Sequence, residues 1–162
     1  MSSENGSHLS GPEEIQLRLS LGRLLWGQLS IPRESGEWMD TQPKKILAAV
    51  DDLFFAVKIT EAARRAGMPV EFVKDDRSLM KSAAGKPALI IIDLNFGGVK
   101  PLQSISKLKG NPELKSISVL GYVSHVQGEL KQKAHDLGCD MVMARSAFSQ
   151  NLSSLLKRHA AR

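Results

Sequence analysis

The chain has little of what several classes of protein require. It contains one cysteine, Cys139, in 162 residues, which excludes a disulfide framework and the usual cysteine-rich zinc sites. No run approaches the ~18 consecutive apolar residues of a membrane span. The N-terminus also lacks a basic region followed by an apolar run, which is the pattern of a signal peptide. We therefore expect a soluble, cytoplasmic protein without a membrane partner.

Aromatic residues are scarce, at 5% of the chain, and they do not alternate with basic residues in a stripe. The formal net charge is +5, yet residues 1–38 hold three arginines against five glutamates, so the positive excess lies downstream. There the basic residues are scattered in pairs such as Lys44/Lys45 and Arg64/Arg65. Scattered pairs are typical of a solvated surface, so a nucleic-acid partner is not favoured.

Several phosphate-binding and catalytic motifs of α/β proteins are also absent. The sequence has no GxGxxG for dinucleotides, no GxxxxGK[ST] for nucleoside triphosphates and no nucleophile elbow. A cobalamin-type DxHxxG motif is missing as well. The acidic pair Asp51-Asp52 would repel the phosphate of a flavin mononucleotide. No cofactor-binding residue is therefore predicted, apart from the metal ligands considered below.

Residues 1–43 differ in composition from the rest and are predicted to be an N-terminal extension. Ser2–Glu14 is rich in Ser, Gly and Glu, as disordered segments are. Ile15–Leu29 has enough leucines for a short amphipathic helix, although two glycines interrupt it. An unstructured extension is the interpretation that we favour.

A second interpretation is that residues 1–38 are the leader of an over-long gene model. Met39-Asp40 opens a hydrophilic approach to the first predicted strand, as a native start often does. One choice of codons for Gly36–Trp38 places GGAG a few bases before the ATG of Met39. That arrangement would be a bacterial ribosome-binding site.

Downstream of Lys44, five apolar runs alternate with segments of helical periodicity. The predicted strands are Lys45–Val50, Val70–Val73, Pro87–Ile92, Ile117–Val123 and Asp140–Ala144. The predicted helices are Leu53–Ala66, Arg77–Ala84, Pro101–Lys109, Val126–Leu137 and Ser149–Ala161, with Ser149 as an N-cap. Among the aromatic residues, Phe54, Phe55 and Phe72 are predicted to be buried. This alternation predicts an α/β fold in which helices cover both faces of a doubly wound, five-stranded parallel sheet.

Polar residues follow the predicted strands at the points where a functional crevice forms in such sheets. Asp51 and Asp52 end the first strand, Asp93 ends the third, and Arg145 follows the fifth. Three converging carboxylates repel one another unless a cation lies among them, and Mg²⁺ prefers carboxylate and carbonyl ligands. An aspartate can also act as a nucleophile and form an aspartyl-phosphate. An arginine beside it can neutralise phosphoryl oxygens.

These segments resemble the response-regulator receiver family, and in particular its chemotaxis-regulator type, over residues 44–162. ILAAVDD is similar to the family's first strand with its acidic pair, and PALIIIDLNFGG to its third strand with the phosphorylated aspartate. The resemblance implies a (βα)5 receiver topology, Asp93 as the phospho-acceptor, and Mg²⁺ held by Asp51, Asp52, Asp93 and the main-chain carbonyl of Asn95. Arg145 stands at the family's lysine position and is assigned to contact the phosphoryl group.

Three positions depart from the family pattern. Counting from Asp93, the hydroxyl residue at the end of the fourth strand falls on Val123, unless a slip of one residue brings Ser124 there. The family's lysine is replaced by Arg145, whose planar guanidinium is not equivalent to an ammonium. The aromatic switch residue of the fifth strand is matched by Val142. The resemblance thus implies that the phospho-acceptor site is retained and that the residues of the family's conformational switch are altered.

The resemblance implies a stand-alone, atypical receiver of a bacterial phosphorelay, a two-component signalling protein and not an enzyme. Its partners would be a histidine kinase or phosphotransfer protein and a downstream protein reached by docking, since the closing helix ends the chain. Homodimer formation is left open. The alternative is a phosphorylation-independent pseudo-receiver that acts as a protein-interaction module.

Overall fold

A sheet of five parallel strands is the centre of the computed structural model, which describes residues 43–124 and 127–162. The predictions for residues 1–42, and the predicted start of a helix at Val126, lie outside the described residues. The strand order is β2-β1-β3-β4-β5. The strands are β1 (Ile46–Ala49), β2 (Val70–Phe72), β3 (Leu89–Asp93), β4 (Ser118–Val123) and β5 (Met141–Ala144). The predicted doubly wound α/β fold is confirmed.

Five α-helices connect and follow the strands in the described residues. They are α1 (Leu53–Ala66), α2 (Asp76–Ala83), α3 (Pro101–Gly110), α4 (Gly128–Asp136) and α5 (Arg145–Ala161), with a short 3₁₀ turn at Gly97–Val99. None of the helices in this part of the chain has the length and apolar character that would let it cross a membrane.

Helix α1 begins and ends where its sequence predicts. Asp52 has an extended backbone and its carboxylate accepts hydrogen bonds from the free N–H groups of the first turn, as an N-cap does. Gly67 ends the helix at φ 71°, a left-handed conformation that glycine adopts without a steric penalty. Its N–H donates to the carbonyl groups of Ala63 and Arg64. Helix α1 is therefore fixed at both ends, and its start lies directly beside the crevice.

Helix α5 begins four residues earlier than predicted, at Arg145 and not after Ser149. Ser149 is thus inside the helix, and its predicted N-cap role is wrong. The buried residues Phe148, Leu152 and Leu155 recur at helical spacing, so the apolar face extends back beyond the serine. As a result β5 passes into α5 without an intervening residue, and Arg145 is the first residue of the helix.

Alternate residues of the central strands are buried in two separate clusters, one on each face of the sheet. On one face Ile46 and Ile91 pack in a cluster with residues of α1 and α5. On the other face Leu47 and Ile92 pack in a cluster with residues of α2, α3 and α4. All four residues of β1 and all five of β3 are buried. Helices on both faces explain why these strands are continuous apolar runs.

Two of the three phenylalanines that were predicted to be buried are not. Phe54 is 60% exposed and Phe72 is 38% exposed, whereas Phe55 is buried. Adjacent residues of a helix point about 100° apart, so Phe54 and Phe55 cannot both face the sheet. Phe72 lies on the edge strand β2, where neighbours cover it on one side only.

Candidate functional site

The predicted site residues lie at the carboxyl ends of the strands. Asp51 and Asp52 follow β1, Asp93 is the last residue of β3, and Arg145 directly follows β5. Strands β1 and β3 are paired neighbours, and all the strands are parallel, so these ends meet at one edge of the sheet. The crevice formed there is where ligands bind in open α/β sheets.

The carboxylate of Asp52 is used at the start of α1. Its Oδ1 accepts hydrogen bonds from the backbone N–H groups of Phe54 at 2.8 Å and Phe55 at 3.3 Å. These N–H groups have no partner inside the helix, and the helix dipole favours a negative charge at this end. Asp52 therefore stabilises α1 in addition to any role in the crevice.

The other oxygen of Asp52 forms an ion pair with Arg145. A guanidinium N–H of Arg145 donates to Asp52 Oδ2. The guanidinium carbon also lies over the ring of Phe55, 4.6 Å from its centroid, in a cation–π contact. Among residues 43–124 and 127–162, Asp52 is the only carboxylate in an ion pair with Arg145. The guanidinium of Arg145 is thus held over the start of α1.

Asp93 is 7% exposed and both of its carboxylate oxygens accept hydrogen bonds. The backbone N–H of Asn95 donates to Oδ1 at 2.9 Å, and the hydroxyl of Tyr122 lies 3.3 Å from Oδ2. Burial, and next the negative charge of Asp93, raise the pKa of Tyr122 well above its ordinary value. The phenol therefore keeps its proton and is the donor.

Tyr122 is the residue of the crevice that the sequence analysis missed. It pairs with Asp93 across β3 and β4, and its ring belongs to the cluster on the α1 and α5 face. The ring stacks on Phe148 with centroids 4.5 Å apart and on Phe55 with centroids 5.1 Å apart. One signal was available in the sequence, because a tyrosine inside a buried strand requires a partner for its hydroxyl.

The three carboxylates make different contacts. Asp51 is exposed and has no hydrogen-bond or ion-pair partner within the described ranges, whereas Asp52 and Asp93 are held by different donors. Asn95 is exposed and its side-chain amide donates to Gln127 at 2.7 Å. No group of three or more His, Cys, Asp or Glu residues in the described part of the chain is placed to hold a metal ion.

The residue types nevertheless fit Mg²⁺. Carboxylate oxygens and a main-chain carbonyl are the ligands that this ion prefers, and Asp51, Asp52, Asp93 and Asn95 supply them. Of the three aspartates, only Asp51 has no protein donor on its carboxylate in the described residues. A bound cation would therefore compete with Arg145 for Asp52. The assignment of these four residues as metal ligands stays a prediction.

The departures from the receiver pattern can be placed in the fold. Val123 is buried and is the last residue of β4, and Ser124 follows the strand. Val142 is half-buried in β5. The hydroxyl that reaches the carboxylate of Asp93 therefore comes from Tyr122, one residue before the position at which the family has a serine or threonine.

No family model matches the sequence, and no curated relative matches it. Solved structures do resemble the fold. The phosphorylated cyanobacterial phytochrome response regulator has a TM-score of 0.60 and 23% identity, over 72% of this chain and 91% of that chain. A chemotaxis response regulator of Vibrio cholerae has a TM-score of 0.62 and 21% identity, over 73% of this chain and 99% of that chain.

A third similar structure holds a metal ion. It is the receiver domain of a sensor histidine kinase from Pseudomonas aeruginosa, with a magnesium ion coordinated in its active-site cleft. Its TM-score is 0.63 and its identity 15%, over 75% of this chain and 100% of that chain. The strand order and these three likenesses show that the described part of the chain has the fold of the response-regulator receiver domains, as its sequence resemblance predicts.

Proposed function

We propose that the protein acts as a receiver of a bacterial phosphorelay and that Asp93 accepts the phosphoryl group. The observation that carries this proposal is the position of Asp93. It is the last residue of β3, in the crevice, and the acidic pair Asp51-Asp52 follows the neighbouring strand β1. The likeness to receiver domains, one phosphorylated and one holding magnesium, supports the same role.

In the proposed reaction an oxygen of the Asp93 carboxylate forms a bond to phosphorus. The bond between phosphorus and the donor atom breaks, and the donor leaves with that electron pair. Mg²⁺, held by Asp51, Asp52, Asp93 and the carbonyl of Asn95, would neutralise charge on the phosphoryl oxygens when bound. The donor would be a histidine kinase or a phosphotransfer protein, and output would follow from docking of a downstream protein.

Arg145 has a second role in this proposal. Its guanidinium is paired with Asp52 in the unphosphorylated protein and lies in the same crevice as Asp93. When a phosphoryl group is attached to Asp93, its oxygens offer the guanidinium a bidentate partner. Arg145 would then leave Asp52 and contact the phosphoryl group, which would also release the carboxylate of Asp52 toward the metal ion.

A specific observation favours the alternative, a phosphorylation-independent interaction module. Asp52 and Arg145 satisfy one another, so the crevice is partly neutralised without a metal ion. Leu53, Phe54 and Val57 are exposed on α1 beside it and give a partner protein an apolar surface. In this function the crevice would have a structural role, and binding would not depend on Asp93.

Incubation of the full chain with Mg²⁺ and acetyl phosphate, followed by intact-mass measurement, tests the proposal. We expect the mass to rise by one phosphoryl group in the wild type and in Asp136→Asn, which removes an exposed carboxylate of α4. The rise should vanish in Asp93→Asn, because an amide offers no nucleophilic carboxylate oxygen. An unmodified wild type whose unfolding is also indifferent to Mg²⁺ would favour the interaction module instead.

A further inference from the structure

The hydroxyl of Tyr122 occupies a position that the proposed phosphorylation must affect. It lies 3.3 Å from Oδ2 of Asp93, which is the only hydrogen-bond partner found for it within residues 43–124 and 127–162. The backbone N–H of Asn95 donates to the other oxygen at 2.9 Å. The protein therefore supplies one donor to each oxygen of the carboxylate that is proposed to act as nucleophile.

The ring of Tyr122 is held so that this hydroxyl cannot swing away easily. Phe148 stacks on it with an interplanar angle of 10°, and Phe55 with an angle of 23°. Tyr122 itself is fully buried. A flip of a tyrosine ring leaves the hydroxyl on the flip axis, so only a movement of the ring out of the stack would remove the donor from Asp93. Such a movement would disturb Phe55 of α1 and Phe148 of α5.

We propose that Tyr122 is a positioning residue that holds the Asp93 carboxylate through its hydroxyl and opposes phosphorylation of that carboxylate. This inference rests on the proposed function. The hydrogen bond is made to a charged carboxylate, and such bonds are stronger than bonds between neutral groups. Formation of an acyl phosphate removes the negative charge from the carboxyl group. Its oxygens are then weaker hydrogen-bond acceptors for the phenol than the carboxylate oxygens were. Tyr122 thus stabilises the unphosphorylated form relative to the phosphorylated one.

Tyr122→Phe tests this role because it removes only the hydroxyl and keeps the stacked ring. At equal Mg²⁺ and acetyl phosphate, we expect the ratio of phosphorylated to unphosphorylated Asp93 to rise about three- to tenfold over the wild type. The double variant Tyr122→Phe/Asp93→Asn should stay unmodified, which would show that the gain occurs at Asp93. A purely structural role would change the melting temperature of Tyr122→Phe without raising this ratio.

A second measurement detects the contact without phosphorylation. Tyr122 is the only tyrosine of the chain, so protein labelled with ¹³Cζ-tyrosine gives a single tyrosine resonance. We expect this resonance to shift in Asp93→Asn, because the charged acceptor of the phenol is lost. Asp136→Asn, on the exposed side of α4, serves as the control and should leave it unchanged.

The outcomes separate this inference from the proposed function. If Asp93 is phosphorylated equally in wild type and Tyr122→Phe, the opposing role is wrong while the proposed function stands. If neither protein is modified, the proposed function fails and the opposing role fails with it. If the tyrosine resonance is the same in wild type and Asp93→Asn, the contact itself is overturned, whatever the extent of phosphorylation.

Discussion

The carboxylate of Asp52 caps helix α1 with one oxygen and holds the guanidinium of Arg145 with the other. A single side chain thus joins the start of α1 to Arg145, the first residue of α5. Both partners are partly exposed, at 35% for Asp52 and 39% for Arg145, so solvent weakens the attraction between them. The pair matters for function because the same carboxylate is a proposed metal ligand.

A double-mutant cycle on Asp52→Asn and Arg145→Ala should give a coupling energy of about 0.5–1 kcal/mol in urea unfolding. Asparagine keeps an oxygen for the cap, so the cycle isolates the ion pair. Raising the salt concentration should reduce the coupling. As a control, Glu61→Gln with Arg65→Ala removes a more exposed pair on α1 and should give a coupling near zero. Equal coupling energies in the two cycles would show that the Asp52–Arg145 pair stabilises the fold no more than an ordinary surface ion pair does.

Arg145→Ala should increase the stabilisation by Mg²⁺. Removal of the guanidinium frees Asp52 Oδ2, so a bound cation no longer competes with it. Ligand that binds only the folded state raises stability by mass action. Thermal melts with and without millimolar Mg²⁺ should show a larger shift for Arg145→Ala than for the wild type, and an intermediate one for Arg145→Lys. A smaller shift in Arg145→Ala would mean that the arginine supports the metal site.

Gly98→Ala should destabilise the fold by about 1–3 kcal/mol, whereas Gly97→Ala should change stability little. A Cβ at Gly98 would lie 2.6 Å from the backbone carbonyl oxygen of Lys74, so the loop after Asp93 would have to shift. A Cβ at Gly97 would meet nothing within 4 Å. The two neighbouring glycines form a matched pair for denaturant unfolding. Similar losses at both positions would contradict the close approach of this loop to Lys74.

Part of the acid sensitivity of the protein should come from Asp76. The Lys107 ammonium, and next the Ser104 hydroxyl, hold the pKa of Asp76 below its ordinary value of 3.8. The folded pKa is lower than the unfolded one, so this stabilisation is fully present above pH 3.8 and is lost as the pH falls through the folded pKa. In Asp76→Asn the free energy of unfolding should fall less steeply below pH 4 than in the wild type.

The matched control for Asp76→Asn is Glu113→Gln. Glu113 is exposed, and within the described ranges its carboxylate has no ion-pair partner. Urea unfolding at several pH values between 3 and 6 would give the slopes. If Asp76→Asn and the wild type lose stability in parallel over this range, the Lys107 pair is not responsible.

A chain that starts at Met39 should fold and melt like the full chain. Both buried clusters of the described residues consist of residues from Ile46 onward. If residues 1–38 are a leader or an unstructured extension, they contribute little burial and therefore little stability. Thermal melts of the two chains test this. A loss of many degrees on truncation would instead show that Ile15–Leu29 docks onto the domain.

The local features of the fold could be predicted because they depend on neighbouring residues. The apolar run PALIII predicted that Asp93 ends a strand, as it does. Both ends of α1 were predicted correctly, because its apolar periodicity begins at Leu53 and Gly67 stops it. The start of α5 was missed because Ser149 is an attractive N-cap by type. The helical spacing of Phe148, Leu152 and Leu155 does continue back beyond the serine, but the packing of Phe148 on Tyr122 cannot be predicted from local sequence.

The contacts of the crevice could not be predicted in the same way. The approach of Tyr122 to Asp93 depends on the register of β3 against β4, which pairs these two residues across the sheet. The contact of Arg145 with Asp52 joins residues 93 positions apart and depends on how α1 and α5 pack together. Sequence spacing places these side chains at one edge of the sheet, but it does not choose their partners.

No residue separates β5 from α5, so a movement of Arg145 would tilt the whole helix. Helix α5 has 17 residues and, at about 1.5 Å per residue, is roughly 25 Å long. Near its far end, Arg158 and His159 line the same small cavity as Leu89 and Ser118, the first residues of β3 and β4. A tilt of about 5° at Arg145 would displace that end by roughly 2 Å for a rod of this length. A change of hydrogen-bond partner at Arg145 would then move residues at the opposite edge of the sheet, because no loop lies between β5 and α5 to absorb the movement.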